Sequence, residues 1–178
     1  MEENSLTVLG CSSATPNSVR FPSSQILHAL GKYFLLDCGE GAQMQLRRAK
    51  IPFENINVIF ISHLHGDHYY GLFGLLASLN LTGRKTPLVI YGPEGLEKIV
   101  RFLFQNTEQT LIFPIFFKTL PKEPFACIEE KKNYKLYSIY YRIVLIVGDF
   151  IMWKMNGNVI FPKMRFKSII LELRRLNV

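Results

Sequence analysis

The chain has 178 residues, of which 48% are hydrophobic, and this length and composition suit a single globular domain with a sizeable core. The net charge is +7, but residues 1–130 carry 11 Lys and Arg against 12 Asp and Glu, whereas residues 131–178 carry 10 against 2. This distribution excludes a uniformly basic surface, and it predicts either a phosphate-binding arm or a terminal segment of different origin.

The sequence predicts a cytoplasmic protein with no membrane segment. Its first residues are acidic and polar, unlike a signal peptide. Three cysteines form no C-x-x-C pair, which favours reduced thiols. The apolar run before Asp149 is far shorter than the roughly 20 residues that a bilayer requires.

The first third of the chain is typical of strands followed by a short helix. Glycine, proline, asparagine and serine mark the loops and turns. The pattern predicts a strand at Leu6–Leu9, a loop over 10–22, a hairpin of strands Ser24–Leu30 and Tyr33–Asp37, and a helix at Ala42–Ala49.

The middle of the chain alternates buried strands with helices, which is the signature of an α/β fold. Apolar residues recur with helical spacing from Leu96 to Leu103. The predicted elements are a strand at Val58–Ile61, a helix at Tyr69–Leu79, a strand at Leu88–Tyr91, a helix from Leu96, and strands at Leu111–Phe117 and Tyr134–Tyr140.

A cluster of histidines lies between the strand at Val58–Ile61 and its helix. Three of the four histidines in the sequence fall within residues 62–68, and imidazole and carboxylate groups are good zinc ligands. His63 and His65 are two apart, so an extended backbone points both the same way, whereas the adjacent Asp67 and His68 must diverge. This spacing favours two neighbouring metals. His28 is predicted to be a packing residue.

Residues 63–68 resemble the H-x-H-x-D-H signature of the metallo-β-lactamase superfamily. The surrounding residues are similar to the ribonuclease Z family, which processes the 3′ end of tRNA. The similarity includes the glycine loop at 9–16, the Asp-Cys-Gly-Glu-Gly turn at 37–41, the helix at 69–76 with Gly71 and Gly74, and the turn at 92–96, and it extends over roughly residues 5–139.

The resemblance implies an αββα sandwich that holds two zinc ions, with His63 and His65 on one and Asp67 and His68 on the other. Asp67 is the candidate catalytic base, and Asp37 is expected to orient a ligand imidazole rather than to bind metal itself. The family cleaves precursor tRNA, and its members are usually homodimers. Another hydrolase of the superfamily, such as a small-substrate phosphodiesterase, and a non-catalytic fragment remain as alternatives.

The family pattern is incomplete after residue 139. The family uses further histidines and a bridging aspartate, but this chain has no histidine after His68, and Asp149 is its only later aspartate. Residues 141–150 can be encoded by a DNA sequence that, read in another frame, gives Ser-His-Arg-Ile-Asp-Cys-Trp-Gly-Phe. This peptide is much like the family's third motif. We therefore expect residues 1–139 to be the N-terminal part of the domain and residues 140–178 to be an atypical basic tail that is out of frame, leaving this chain impaired.

Overall fold

A computed structural model of the chain describes residues 5–13, 17–121, 126–132, 134–139, 142–147, 150–155 and 158–160. The chain folds into two compact units, residues 1–119 and 120–178. The sequence also predicts that the tail after residue 139 has a different origin from the rest of the chain. A division into compact units does not test that origin, so it stays a prediction. Residues 161–178 of that tail lie outside the described residues.

The first unit alternates strands and helices as predicted. Strand β6 begins later than the predicted Leu111, because Pro114 has no N–H to donate to a neighbouring strand. The elements are β1 Ser5–Gly10, β2 Ser24–Ala29, β3 Lys32–Cys38, α1 Ala42–Arg48, a 3-10 turn Phe53–Asn55, β4 Ile56–Phe60, α2 Gly66–Leu81, β5 Leu88–Gly92, α3 Leu96–Gln105 and β6 Ile115–Thr119.

Within the described residues of this unit, the strands form one sheet in the order β1-β2-β3-β4-β5-β6. Strands β1, β2 and β3 are antiparallel, whereas β3, β4, β5 and β6 run parallel. The carboxyl ends of the four parallel strands therefore meet at one edge of the sheet. Both the turn after β3 and the histidine loop after β4 lie at this edge.

The hairpin between β2 and β3 closes through a two-residue turn at Leu30 and Gly31. Both residues have a positive φ, 54° and 66°, as a tight hairpin turn requires. His28 faces Tyr33 across the hairpin, and their rings stack with centroids 4.5 Å apart. The prediction that His28 is a packing residue is confirmed.

The core of the first unit lies between the sheet and its helices. Alternate strand residues such as Leu35, Ile59 and Ile90 point toward them and are fully buried. The helices contribute buried side chains at helical spacing, namely Leu46 of α1, Leu72, Leu75, Leu76 and Leu79 of α2, and Leu96 and Val100 of α3. This packing fixes α2, which begins inside the histidine loop, against the sheet.

The second unit consists of antiparallel strands in the residues that the structure describes. Strand β8 confirms the predicted strand at Tyr134–Tyr140, although Tyr140 lies outside the described residues. The strands are β7 Ala126–Lys131, β8 Tyr134–Ile139, β9 Arg142–Val147, β10 Phe150–Met155 and β11 Asn158–Ile160, in the order β11-β10-β9-β8-β7. Across the described part of the chain, every helix is too short or too polar to cross a bilayer.

Candidate metal centre

The carboxylate of Asp37 is the centre of a buried hydrogen-bond network at the end of β3. The residue is 1% exposed. Its Oδ1 accepts the backbone N–H of Ser62 at 2.8 Å, and its Oδ2 accepts the hydroxyls of Ser62 at 3.1 Å and Ser23 at 3.3 Å. His68 Nδ1 lies 2.6 Å from the same Oδ2. The carboxylate thus ties β3 to the histidine loop and to the first turn of α2.

The donors and acceptors of this network indicate which ring nitrogen carries the proton in two of the imidazoles. A carboxylate has no proton to give, so His68 Nδ1 carries the proton and donates to Asp37. Ser62 has one hydroxyl proton, which it donates to Asp37, so His63 Nδ1, 2.9 Å from Ser62 Oγ, is the donor in that contact. In the neutral form of each ring, Nε2 is then the nitrogen that carries the lone pair.

The three histidines of the loop are neighbours. The ring of His63 lies 4.7 Å from that of His65 and 3.9 Å from that of His68, measured between centroids. Asp67 Oδ2 is 3.5 Å from His68 Nε2. Of the residues predicted for the site, the structure thus brings the four loop residues together and places Asp37 behind them.

The electrostatics of the loop favour the neutral form of His63. Partial burial, followed by the nearby His68, lowers the pKa of His63, while the carboxylates of Asp37 and Asp67 act more weakly in the opposite direction. A neutral imidazole with a free nitrogen is the form that binds a metal ion.

Close contacts of two glycines hold α2 against the turn after β3. A Cβ on Gly71 would lie 2.0 Å from the carbonyl oxygen of Gly39, and a Cβ on Gly39 would lie 2.5 Å from the carbonyl oxygen of Asp67. Gly74 approaches only the Gln43 side-chain amide, at 3.0 Å. Without side chains at positions 39 and 71, the first turns of α2 can approach Asp37 closely enough for His68 to reach it.

The donors of the loop suit zinc in type but not in number. Imidazole nitrogen and carboxylate oxygen are ordinary zinc ligands. Among the described residues, however, no group of three or more His, Cys, Asp or Glu side chains is arranged to hold a metal ion. Four donors are also too few for two zinc ions that each take about four ligands. The loop can supply only part of a two-metal site.

Ser62 and Ser23 are the site residues that sequence reasoning missed. Both are short polar residues next to apolar strands, and Ser62 directly precedes the first histidine. That position gives a weak signal, since serine after a strand is also an ordinary loop residue. Their role emerges only when the fold brings them to Asp37.

Comparisons with known proteins agree on the fold. The family model described as Anti-Pycsar protein Apyc1 matches residues 4–112, more than half of the chain. Among solved structures, the human tRNase Z short form has a TM-score of 0.74 and 27% identity, covering 84% of this chain and 67% of that one. A metallo-β-lactamase fold protein from Bacillus subtilis, at 20% identity, has a TM-score of 0.62 over 85% of this chain and 62% of its own.

Curated relatives carry a more specific name. The ribonuclease Z of Bacteroides thetaiotaomicron is 45% identical over 132 residues, which cover 74% of this chain and 42% of that protein. The chain thus spans less than half the length of this relative. Given the sheet, the histidine loop and these matches, the chain has the metallo-β-lactamase fold, resembles ribonuclease Z, and belongs to the family that the Apyc1 model describes.

Proposed function

We propose that this chain is part of a zinc-dependent endoribonuclease of the ribonuclease Z type, which removes the 3′ trailer from precursor tRNA. The observation that carries the proposal is the hydrogen-bond network of Asp37, in which a buried carboxylate and Ser62 hold two imidazoles by their Nδ1 atoms. An orienting partner of this kind is typical of metal-binding histidines. The identity to the Bacteroides ribonuclease Z supports the choice of substrate.

In this proposal His63 and His65 hold one zinc ion, and Asp67 and His68 hold the other. Bound zinc would supply Lewis-acid activation of water and of the phosphate. Asp37 keeps His68 in one tautomer, and Ser62 does the same for His63. The side chain of Asp67 is 13% exposed, so its carboxylate can accept the proton of an attacking water at the surface of the loop.

The rest of the site must come from residues beyond this set of donors. Four donors cannot complete two zinc sites, so we expect this chain to retain zinc weakly and to have little or no nuclease activity. The resemblance to ribonuclease Z further underlies the proposals that the protein is a homodimer and that it acts in the cytoplasm.

We also propose that residues 140–178 are an out-of-frame tail. The net charge of residues 131–178 and the absence of histidine after His68 support this proposal. The coding DNA tests it directly, because a single-base change near codons 139 and 140 should restore downstream histidine and aspartate motifs. If no single-base change does so, the tail belongs to the protein.

The function is tested with the purified chain and with a frame-restored version, each assayed on precursor tRNA and on a chromogenic phosphodiester. We expect cleavage next to the acceptor stem by the restored version, its loss in a His68→Ala variant, and little activity of the present chain. Preference for the small phosphodiester would favour the alternative hydrolase. Two tightly held zinc ions in the present chain, measured by metal analysis, would contradict the prediction of weak retention.

A further inference from the structure

A second feature lies at the same edge of the sheet as the histidine loop. An open cavity of about 590 Å³ lies between α3 and the carboxyl-terminal halves of β5 and β6. All of its lining residues fall within the first unit. A volume of several hundred Å³ suits a small ligand or one unit of a polymer.

Aromatic rings line this cavity and one of them faces solvent. Phe102 of α3 is 67% exposed, a large apolar side chain that the core does not use. Phe117 of β6 also lines the cavity and is packed under the guanidinium group of Arg101, 5.5 Å from the ring centroid. Exposed rings beside cations are the elements from which proteins build stacking platforms for single-stranded nucleic acid.

The charges around the cavity are mixed. Lys98, Arg101 and Lys118 line it together with Glu94 and Glu97. Arg101 Nε is engaged by Glu97 Oε1 at 2.7 Å, which fixes the guanidinium group over its ring. Because two carboxylates offset three cations, attraction to phosphate is modest, and stacking rather than charge must supply most of the affinity for an RNA.

The cavity borders the loop that carries the histidines. Its floor includes the turn Gly92–Gly95, which follows β5 just as the histidine loop follows β4. A Cβ added to Gly95 would lie 3.8 Å from Leu64 Cδ1, so the two loops are neighbours. The cavity is therefore next to the position that a phosphate bound at the histidines would occupy.

We propose that the cavity binds a nucleotide of the single-stranded RNA adjacent to the scissile phosphate, with its base stacked on Phe102 and its backbone near Lys98. This inference rests on the proposed ribonuclease function. It gives Phe102 the role of selecting an unpaired strand over a duplex. A base held in a duplex cannot stack on a protein ring without leaving its neighbours.

The test is fluorescence anisotropy of the full chain with a short fluorescein-labelled single-stranded oligouridylate, in the presence of a metal chelator. Phe102→Ala is expected to weaken binding on the order of tenfold. Lys98→Ala should weaken it less and should reduce the salt dependence. A duplex of the same length should bind more weakly than the single strand and should be insensitive to Phe102→Ala.

Phe116→Ala is the matched control. Phe116 is the same residue type, is 54% exposed, and lies on β6 next to Phe117, but it is not part of the cavity. It should leave binding unchanged. Circular dichroism and thermal melting should show both phenylalanine variants folded, since neither side chain is buried. Photo-crosslinking of a 4-thiouridine oligonucleotide, followed by peptide mapping, should label α3 in the original chain.

Equal binding by Phe102→Ala and the original chain would overturn the inference, as would equal losses in the two phenylalanine variants. If sedimentation shows that Phe102→Ala breaks a dimer, the inference is also overturned, and the cavity is instead an interface between copies of the chain. His63→Ala in the frame-restored version separates this inference from the proposed function, because it should abolish cleavage while leaving oligouridylate binding intact. Phe102-dependent binding by the frame-restored version without any precursor cleavage would refute the function alone.

Discussion

The two loops at the carboxyl edge of the sheet hold their side chains in opposite ways. After β4, Asp37 holds His68 directly and His63 through Ser62. Asp37 is 1% exposed and accepts hydrogen bonds from Ser23, Ser62 and His68. After β5, the groove along α3 presents Phe102, which is 67% exposed. One region is a buried polar network, and the other is an open surface with a few fixed groups.

This difference suits the role that we propose for each region. Metal ligands need a fixed tautomer and direction, and only a buried network in which every donor has an acceptor gives both. Recognition of a flexible strand needs accessible ring surface, which a buried network cannot offer. Substitutions in the first region can show whether it is as rigid, and as dependent on Asp37, as its contacts indicate.

The largest effect is expected from Gly71→Ala. The added methyl group would lie 2.0 Å from the backbone carbonyl oxygen of Gly39, which cannot move without displacing the turn after β3. We expect a loss of about 3 kcal/mol or more in the free energy of unfolding, measured by urea denaturation. The gain in helix propensity, about 1 kcal/mol, is too small to offset it.

Gly74→Ala in the same helix is the control for this prediction. Its methyl group meets only the flexible Gln43 amide, at 3.0 Å, so the change in unfolding free energy should stay below about 1 kcal/mol. Equal losses in the two variants would mean that α2 does not depend on its contact with Gly39.

Asp37→Asn should have the next largest effect. The amide nitrogen cannot accept the hydrogen bonds that Oδ1 and Oδ2 now receive, so buried donors from Ser62 or His68 lose their partner. We expect a loss of about 2–3 kcal/mol in the free energy of unfolding. Zinc affinity, measured by competition with a chromophoric chelator, should fall about 10- to 100-fold.

A structural role alone for Asp37 would lower stability without changing the tautomer of His68. Nitrogen-15 NMR of the imidazoles separates the two effects. In the original chain His68 should carry its proton on Nδ1, and in Asp37→Asn this preference should be reduced. An unchanged NMR signature would show that the carboxylate does not orient the ring.

Ser62→Ala should have a smaller and more local effect. Its hydroxyl links Asp37 to His63, and its removal leaves His63 Nδ1–H without its acceptor, whereas the 2.6 Å contact of His68 with Asp37 remains. We expect a loss of about 1 kcal/mol in unfolding free energy. The tautomer of His63, but not that of His68, should become mixed in the NMR spectrum. Ser62→Thr keeps the hydroxyl and should restore the His63 signal.

The same contrast explains how far the sequence could be read. Strands β1 to β5 and the three helices follow from apolar spacing and turn residues, and the H-x-H-x-D-H spacing locates the histidine loop. Ser62 and Ser23 could not be assigned, because their acceptor, Asp37, lies 25 and 14 residues away and only the sheet brings them together. The cavity along α3 was missed as well. Phe102 lies off the apolar stripe that runs from Leu96 to Leu103, and a single exposed apolar residue is ordinary on a protein surface, so its position alone gives no signal.

The second unit was harder to predict. Strand β7, Ala126–Lys131, contains three charged residues in six and lacks clear alternation. Strand β9, Arg142–Val147, is apolar almost throughout, which is consistent with a strand or with a buried helix. Pairing with neighbouring strands decides such segments, and pairing is a long-range property that local spacing does not encode.

The smallest effect is expected for Cys38, the neighbour of Asp37. The reactivity of its thiol can be compared with that of the thiols at the surface. Cys38 is buried, whereas Cys11 and Cys127 are exposed. Burial, and secondarily the negative charge of Asp37, raises the pKa of the Cys38 thiol, so almost none of it is thiolate near neutral pH. With a thiol-reactive chromogenic disulfide, Cys11 and Cys127 should react at once, and Cys38 only after denaturant is added. Asp37→Asn should speed the slow reaction because it loosens the packing around Cys38. Rapid reaction of all three thiols in the folded chain would mean that the network opens readily, and the rigidity inferred for the histidine loop would then be wrong.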